Sequence, residues 1–98
     1  MERTTNKQLE FLCARINAAQ KTPAKPYERS EIDGSLVGQI GNYHLSGAYG
    51  GVSLHKTMTT GGGVRDVFSC GHVTKRDLYN RMSAYLVACE YEDEEDET

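Results

Sequence analysis

The sequence predicts an α+β domain: an N-terminal helix, a three- to four-stranded antiparallel sheet and a C-terminal helix, packed as a two-layer sandwich. Three observations predict it. A segment near each end carries apolar residues at helical spacing. The stretch between them alternates apolar and polar residues and is cut by glycine pairs. The connections within that stretch are too short for anything but antiparallel neighbours. One face of the sheet must be covered, and two amphipathic helices are available to cover it.

The first helix is expected over residues 5–20. Thr5 and Gln8 make a capping box, each side chain meeting a backbone N–H of the first turn. Leu9, Leu12, Cys13 and Ile16 then recur at i, i+3, i+4 and i+7. Pro23 and Pro26 prevent continuation. The connector 21–35 has room for a short extended piece over 27–32, and Asp33-Gly34 is a turn signal. Strands follow at 36–40, 43–48, 52–59 and 64–69. The Gly50-Gly51 pair suits a tight hairpin turn that needs positive φ, and 60–63 is a second turn. The last helix starts at Thr74, an N-cap with Asp77 three residues on, and carries Leu78, Met82, Tyr85, Leu86 and Cys89 on one face. It is expected to end near Glu90.

Ninety-eight residues make one domain, placed at 1–90, with an acidic disordered tail at 91–98. Seven of the fourteen carboxylates lie between Glu90 and Glu97. The first 89 residues therefore hold eleven basic against seven acidic side chains, so a mildly basic body precedes a strongly acidic end. The plain reading of that end is a solubilising tail; the sharper one is a mimic of nucleic-acid charge. No apolar run approaches the ~20 residues of a transmembrane helix, and the opening residues lack the apolar core of a signal peptide. A cytoplasmic setting without membrane contact is the expectation. Three cysteines without a secretory signal argue against a disulfide framework. Cys13 and Cys89 fall on helix stripes and read as core; Cys70 is the one candidate for reactivity.

Function is expected to centre on residues 42–76, which hold all three histidines and seven of the ten glycines. Four constellations stand out. Lys75 and Arg76 open the last helix, with His72 just before it and Arg65 on the preceding strand. Basic side chains in a first turn oppose the helix dipole, which an anion would reverse; an ordinary solvated basic end is the alternative. His44 and His55 lie on opposite arms of the hairpin, but no spacing suits zinc, so hydrogen bonding is expected and no metal or cofactor. Cys70 with a histidine could in principle make a nucleophile pair, but no signature surrounds it, so no catalytic residue is assigned. Tyr43 and Tyr49 flank the hairpin turn beside bare glycine backbone, a setting for a planar ligand or a protein partner. The alternation of Tyr43 with Leu45 also permits a core role. The candidate binding residues are thus Tyr43, His44, Tyr49, His55, Arg65, His72, Lys75 and Arg76, in a binding protein rather than an enzyme.

Two comparisons bear on that reading. The α-β-β-β-α order and the TKRD start of the last helix resemble the double-stranded-RNA-binding module, which implies duplex nucleic acid as the alternative ligand. A fuller resemblance is to a family of short proteins of tailed bacteriophages and prophages. Its motifs appear here as GNYHLSGAYGG at 41–51, GGGVRDVF at 61–68 and GHVTKRDL at 71–78. That resemblance implies a phage origin and assigns no chemistry. It points to an accessory protein that counters host defence, either by inhibiting a host protein complex or by sequestering an anionic, nucleotide-like ligand, with a homo-oligomer as one way to build a shared pocket.

Overall fold

The computed structural model describes residues 3–96, with side chains described through Tyr91. Helix α1 spans Asn6–Gln20 and starts at the expected capping box: Thr5 Oγ1 accepts from Gln8 N–H at 3.3 Å, and Thr5 N–H donates to Gln8 Oε1 at 2.8 Å. It stops where Lys21 turns left-handed (φ 58°) and the Thr22 N–H closes back on the Asn17 carbonyl at 2.9 Å. Helix α2 spans Lys75–Asp96 and is capped by Thr74, whose Oγ1 accepts from Asp77 N–H at 3.1 Å. The helices lie side by side with their N-termini at the same end. Gln8 shares a cleft with Arg76 there, and Arg15 pairs with Glu90 at 2.6 Å further along.

α2 outruns its expected end at Glu90, and its backbone stays helical through Asp96. The acidic run has neither glycine nor proline to break it, and glutamate is a good helix former, so propensity carries the helix past the point where charge repulsion was expected to end it. The rest of the expected tail, residues 97–98, lies outside the described residues.

The strands form two sheets rather than one. β1 (Tyr27–Arg29) and β2 (Leu36–Gly38) make a separate antiparallel hairpin. β3 (Tyr43–Ala48), β4 (Gly51–Thr57) and β5 (Val64–Asp66) make the main antiparallel sheet in the order β3-β4-β5. The chain between the sheets, 39–42, turns at Gly41 (φ 95°), which detaches β2 from the strand that follows. β5 is shorter than expected because the Asp66 carboxylate folds the chain back, accepting from Phe68 N–H at 3.2 Å and Gly71 N–H at 2.8 Å.

One face of the main sheet meets both helices. Tyr43, Leu45, Val52 and Leu54 point that way and pack with Leu9, Leu12, Ile16, Leu78, Met82 and Leu86. Burial of each such leucine contributes ~2 kcal/mol. The 66–73 segment drops Phe68 into this layer, where its ring meets Tyr85 edge-on at 5.7 Å. It then rejoins β4 through Val73, which exchanges two 2.8 Å backbone hydrogen bonds with Val52. Among the described residues no helix is long and apolar enough to cross a membrane.

Candidate functional site

The strand register decides which predicted residues can act together. His44 pairs with His55, Ser46 with Ser53, and Tyr43 with Lys56. Side chains alternate, so His44, Ser46, Ser53 and His55 share the face turned away from the helices. His72 joins them from the 66–73 segment, its Nε2 3.2 Å from Ser46 Oγ. The ring centroids make a row: His44 to His55 is 6.1 Å, His55 to His72 is 6.0 Å and His72 to Tyr49 is 6.0 Å, each edge to face.

Tyr49 ends the row at the hairpin tip. The turn is Tyr49-Gly50, both at positive φ (54° and 76°), between the paired Ala48 and Gly51. This is one residue earlier than the expected Gly50-Gly51. Gly51 serves another need: a Cβ on it would lie 2.9 Å from the Val73 carbonyl oxygen, so its bare backbone lets the 72–73 segment close on β4. The Tyr49 side chain is 98% exposed.

Burial, followed by the neighbouring His55, pushes the His44 pKa below the ordinary histidine value, against an opposing contribution from the Asn42 backbone; the Asn42 Oδ1 lies 3.0 Å from the ring Nδ1. Asp66 pairs with His55 across β4 and β5. Desolvation would raise its carboxyl, but the N–H groups of Gly71 and Phe68 outweigh that and hold it below the usual range. Ser53, on the same sheet face, is fully buried. Its Oγ has no hydrogen-bond partner among the described residues, although its proximity helps to lower Asp66.

The other predicted residues sit elsewhere. Tyr43 belongs to the core, 3% exposed, with its hydroxyl 2.7 Å from that of Tyr85; desolvation and then that contact raise its pKa. Of its two readings the core one describes the molecule. Arg65 pairs with Lys56, and Lys56 Nζ lies 5.3 Å from the Tyr43 ring centroid, so both cations are on the side opposite the histidines. The alternation of Arg65 with Asp66 already implied this. Lys75 lines a cleft of about 390 Å³ with Asn6, Glu10, Gly47 and Gly50. Arg76 lines another of about 220 Å³ with Arg3 and Tyr79. The eight residues expected to form one surface therefore divide among a ring-lined face, the core, the opposite sheet face and the helix N-termini.

Cys70 is partly buried, and among the described residues no hydrogen bond joins it to a histidine. No group of three or more His, Cys, Asp or Glu among the described residues is placed to hold a metal ion. Sequence reasoning missed Ser46, Ser53 and Asp66; their i±2 spacing from His44 and His55, and the β5 register, were the available signal. No family model, no curated protein and no solved structure matches the chain.

Proposed function

We propose that this chain acts by binding rather than by turnover, as a phage-encoded accessory protein of the host cytoplasm that inhibits a host defence protein through its Tyr49–His72 face. The observation that carries the reading is Tyr49. It holds a left-handed backbone that costs a non-glycine residue ~1 kcal/mol, and it leaves a whole aromatic side chain in solvent. A tyrosine at the tip of a short, paired hairpin is a rigid anchor with two side-chain torsions to fix, and a partner that covers the ring removes it from water. The row of imidazoles behind it offers both donors and acceptors.

A protein target suits this face better than duplex nucleic acid. Lys56 and Arg65 are turned to the other side of the sheet, and a phosphate backbone needs such charge. A free nucleotide would stack on the same rings and is the outcome to separate. The setting among phages rests on the resemblance of the three motifs.

The test is plating of a sensitive phage on bacteria that carry single defence systems and express the chain. Wild type should restore plating against at least one system, and Tyr49→Asn should abolish the effect while remaining folded. Full protection by the folded variant would overturn the reading. Native mass spectrometry of the purified chain then separates the target classes: a retained nucleotide would replace the protein target.

A further inference from the structure

Among the described residues β3 pairs with one strand, β4, so no strand covers its far edge. Thr57 N–H donates to the Asn42 carbonyl at 2.9 Å, which sets the parity: even-numbered residues of β3 bond to β4, and Tyr43, Leu45 and Gly47 turn their N–H and C=O groups outward. At Tyr43 those groups are taken by the Asn17 side chain, which donates to the carbonyl at 2.9 Å and accepts from the N–H at 2.8 Å. At Leu45 and Gly47, no partner among the described residues meets them. Folded proteins guard such an edge with lysine, proline or a bulge, and residues 43–48 contain none of these.

Beside the open edge runs a groove. Two adjoining clefts, of about 320 and 390 Å³, share Glu10 and Leu45. Their far wall is one side of α1, where Asn6, Glu10, Ala14 and Asn17 recur at successive turns. From Asn6 to Asn17 the groove is ~16 Å long, room for about five residues of extended chain. Asn17 closes one end. Gly47, Gly50 and Lys75 form the other.

We propose that this groove binds an extended peptide segment that pairs with β3 as an added strand, on the edge of β3 that faces away from β4 and beside α1. The occupant is set by what is left open: two N–H donors and two carbonyl acceptors at strand spacing call for another backbone, and main-chain pairing against a sheet edge with a helix as the opposite wall is a known way to hold one. Charge fixes the ends. Lys75 calls for a carboxylate near the hairpin tip, and Glu10 calls for a basic or hydrogen-bonding side chain midway. The clefts share His44 and Ser46 with the ring-lined face, but Tyr49 and His72 line neither of them.

The probe is a pooled library of random seven-residue peptides with free C-termini, selected on the immobilised full chain; the strongest peptide is then titrated into the isotope-labelled chain. The expected result is slowed hydrogen exchange at the Leu45 and Gly47 amides, with His44 and Ser46 unchanged. Gly47→Pro removes an N–H that the ladder does not use, and should weaken binding about tenfold. Gly47→Ala keeps the N–H, and its added Cβ meets no backbone atom closer than 3.9 Å, so it should bind more tightly than Gly47→Pro. Should Gly47→Pro fail to fold, N-methylation of alternate amides of the selected peptide makes the same test on the native chain. Amidating the peptide's C-terminus tells a terminal carboxylate from an acidic side chain at the Lys75 end. Selection of no peptide, protection elsewhere, or equal binding by Gly47→Pro would overturn the proposal. So would Leu45 and Gly47 amides already protected in a chain that runs as a dimer, since a second copy would then occupy the edge. Tyr49→Asn should leave peptide affinity unchanged, which separates this outcome from the fate of the ring-lined face.

Discussion

The side-chain amide of Asn17 stands beside the backbone of Tyr43 as a neighbouring strand would, giving one hydrogen bond at 2.9 Å and taking one at 2.8 Å. Asn17 is buried, and its Oδ1 also accepts from Thr22 Oγ1 at 2.7 Å. One residue thereby joins the end of α1, the start of the connector and the first residue of β3. Cys13 reinforces the joint, its thiol donating to the same carbonyl at 3.1 Å, and burial pushes that thiol's pKa up to about 11.

Asn17→Ala should be among the most damaging single changes in the chain. It strands a buried N–H, leaves the Tyr43 carbonyl with only a weak thiol donor and removes the Thr22 contact. The expected loss is ~2–4 kcal/mol, since each unmet buried group costs about 1–3 kcal/mol. Urea unfolding measures it. A loss below ~1 kcal/mol would show that water replaces the amide.

Tyr49→Asn should move stability and function in opposite directions. Asparagine tolerates the left-handed backbone of an I′-type turn better than tyrosine, and the side chain removed is fully exposed. A gain of roughly 0.5–1 kcal/mol is expected in urea, together with loss of partner binding. A destabilised variant would mean that the edge contact with His72 outweighs the backbone cost.

Both helix starts were legible because a cap is local: Thr5 with Gln8 and Thr74 with Asp77 are each complete within four residues. β3 was legible from end to end because its alternation and the glycine turn agree. What escaped was set by distant partners. The turn moved to Tyr49-Gly50 because Gly51 is needed against Val73, a residue twenty-two positions away. Gly38 N–H donates to Thr60 O at 2.7 Å, so β2 meets the turn after β4 rather than a strand of the main sheet, and the role of Asn17 depends on Tyr43. The eight candidate residues could be named from the sequence, but they do not lie on one surface. Sequence proximity gathered Arg65 and Lys75 with the histidines, whereas the pleat and the helix axis turn them to other sides.

The ring-lined face should make stability pH-dependent through His44. Its folded pKa lies below the ordinary 6.5 of the unfolded chain, so the unfolded state takes up the proton first as pH falls. The sign follows: the contribution is complete above 6.5 and is lost as pH drops from there through the folded value. Denaturation midpoints measured between pH 8 and pH 5 should fall toward the acid end. His44→Gln, which keeps a hydrogen-bonding group near Asn42, should flatten that slope. An unchanged slope would assign it to other groups.

Removal of residues 92–98 should leave the melting temperature nearly unchanged or slightly raised. Among the described residues the ion pair nearest the cut, Arg15 with Glu90 at 2.6 Å, is retained and is half exposed, so it contributes at most ~1 kcal/mol in any case. Among the described side chains, which end at Tyr91, the last buried residue of α2 is Cys89. What is removed is mainly negative charge at the negative end of the helix dipole, together with mutual repulsion among neighbouring carboxylates. Both terms are screened by salt, so any rise should be larger at ~10 mM than at ~1 M ionic strength. Propensity works the other way and holds the last turns helical, which is why the net effect is expected to be small. Calorimetry of the full and shortened chains at the two ionic strengths decides it: a large fall at low salt would mean that the acidic end docks on the basic body, and the shortened chain would then also be the form in which Lys75 and Arg76 bind anions more tightly.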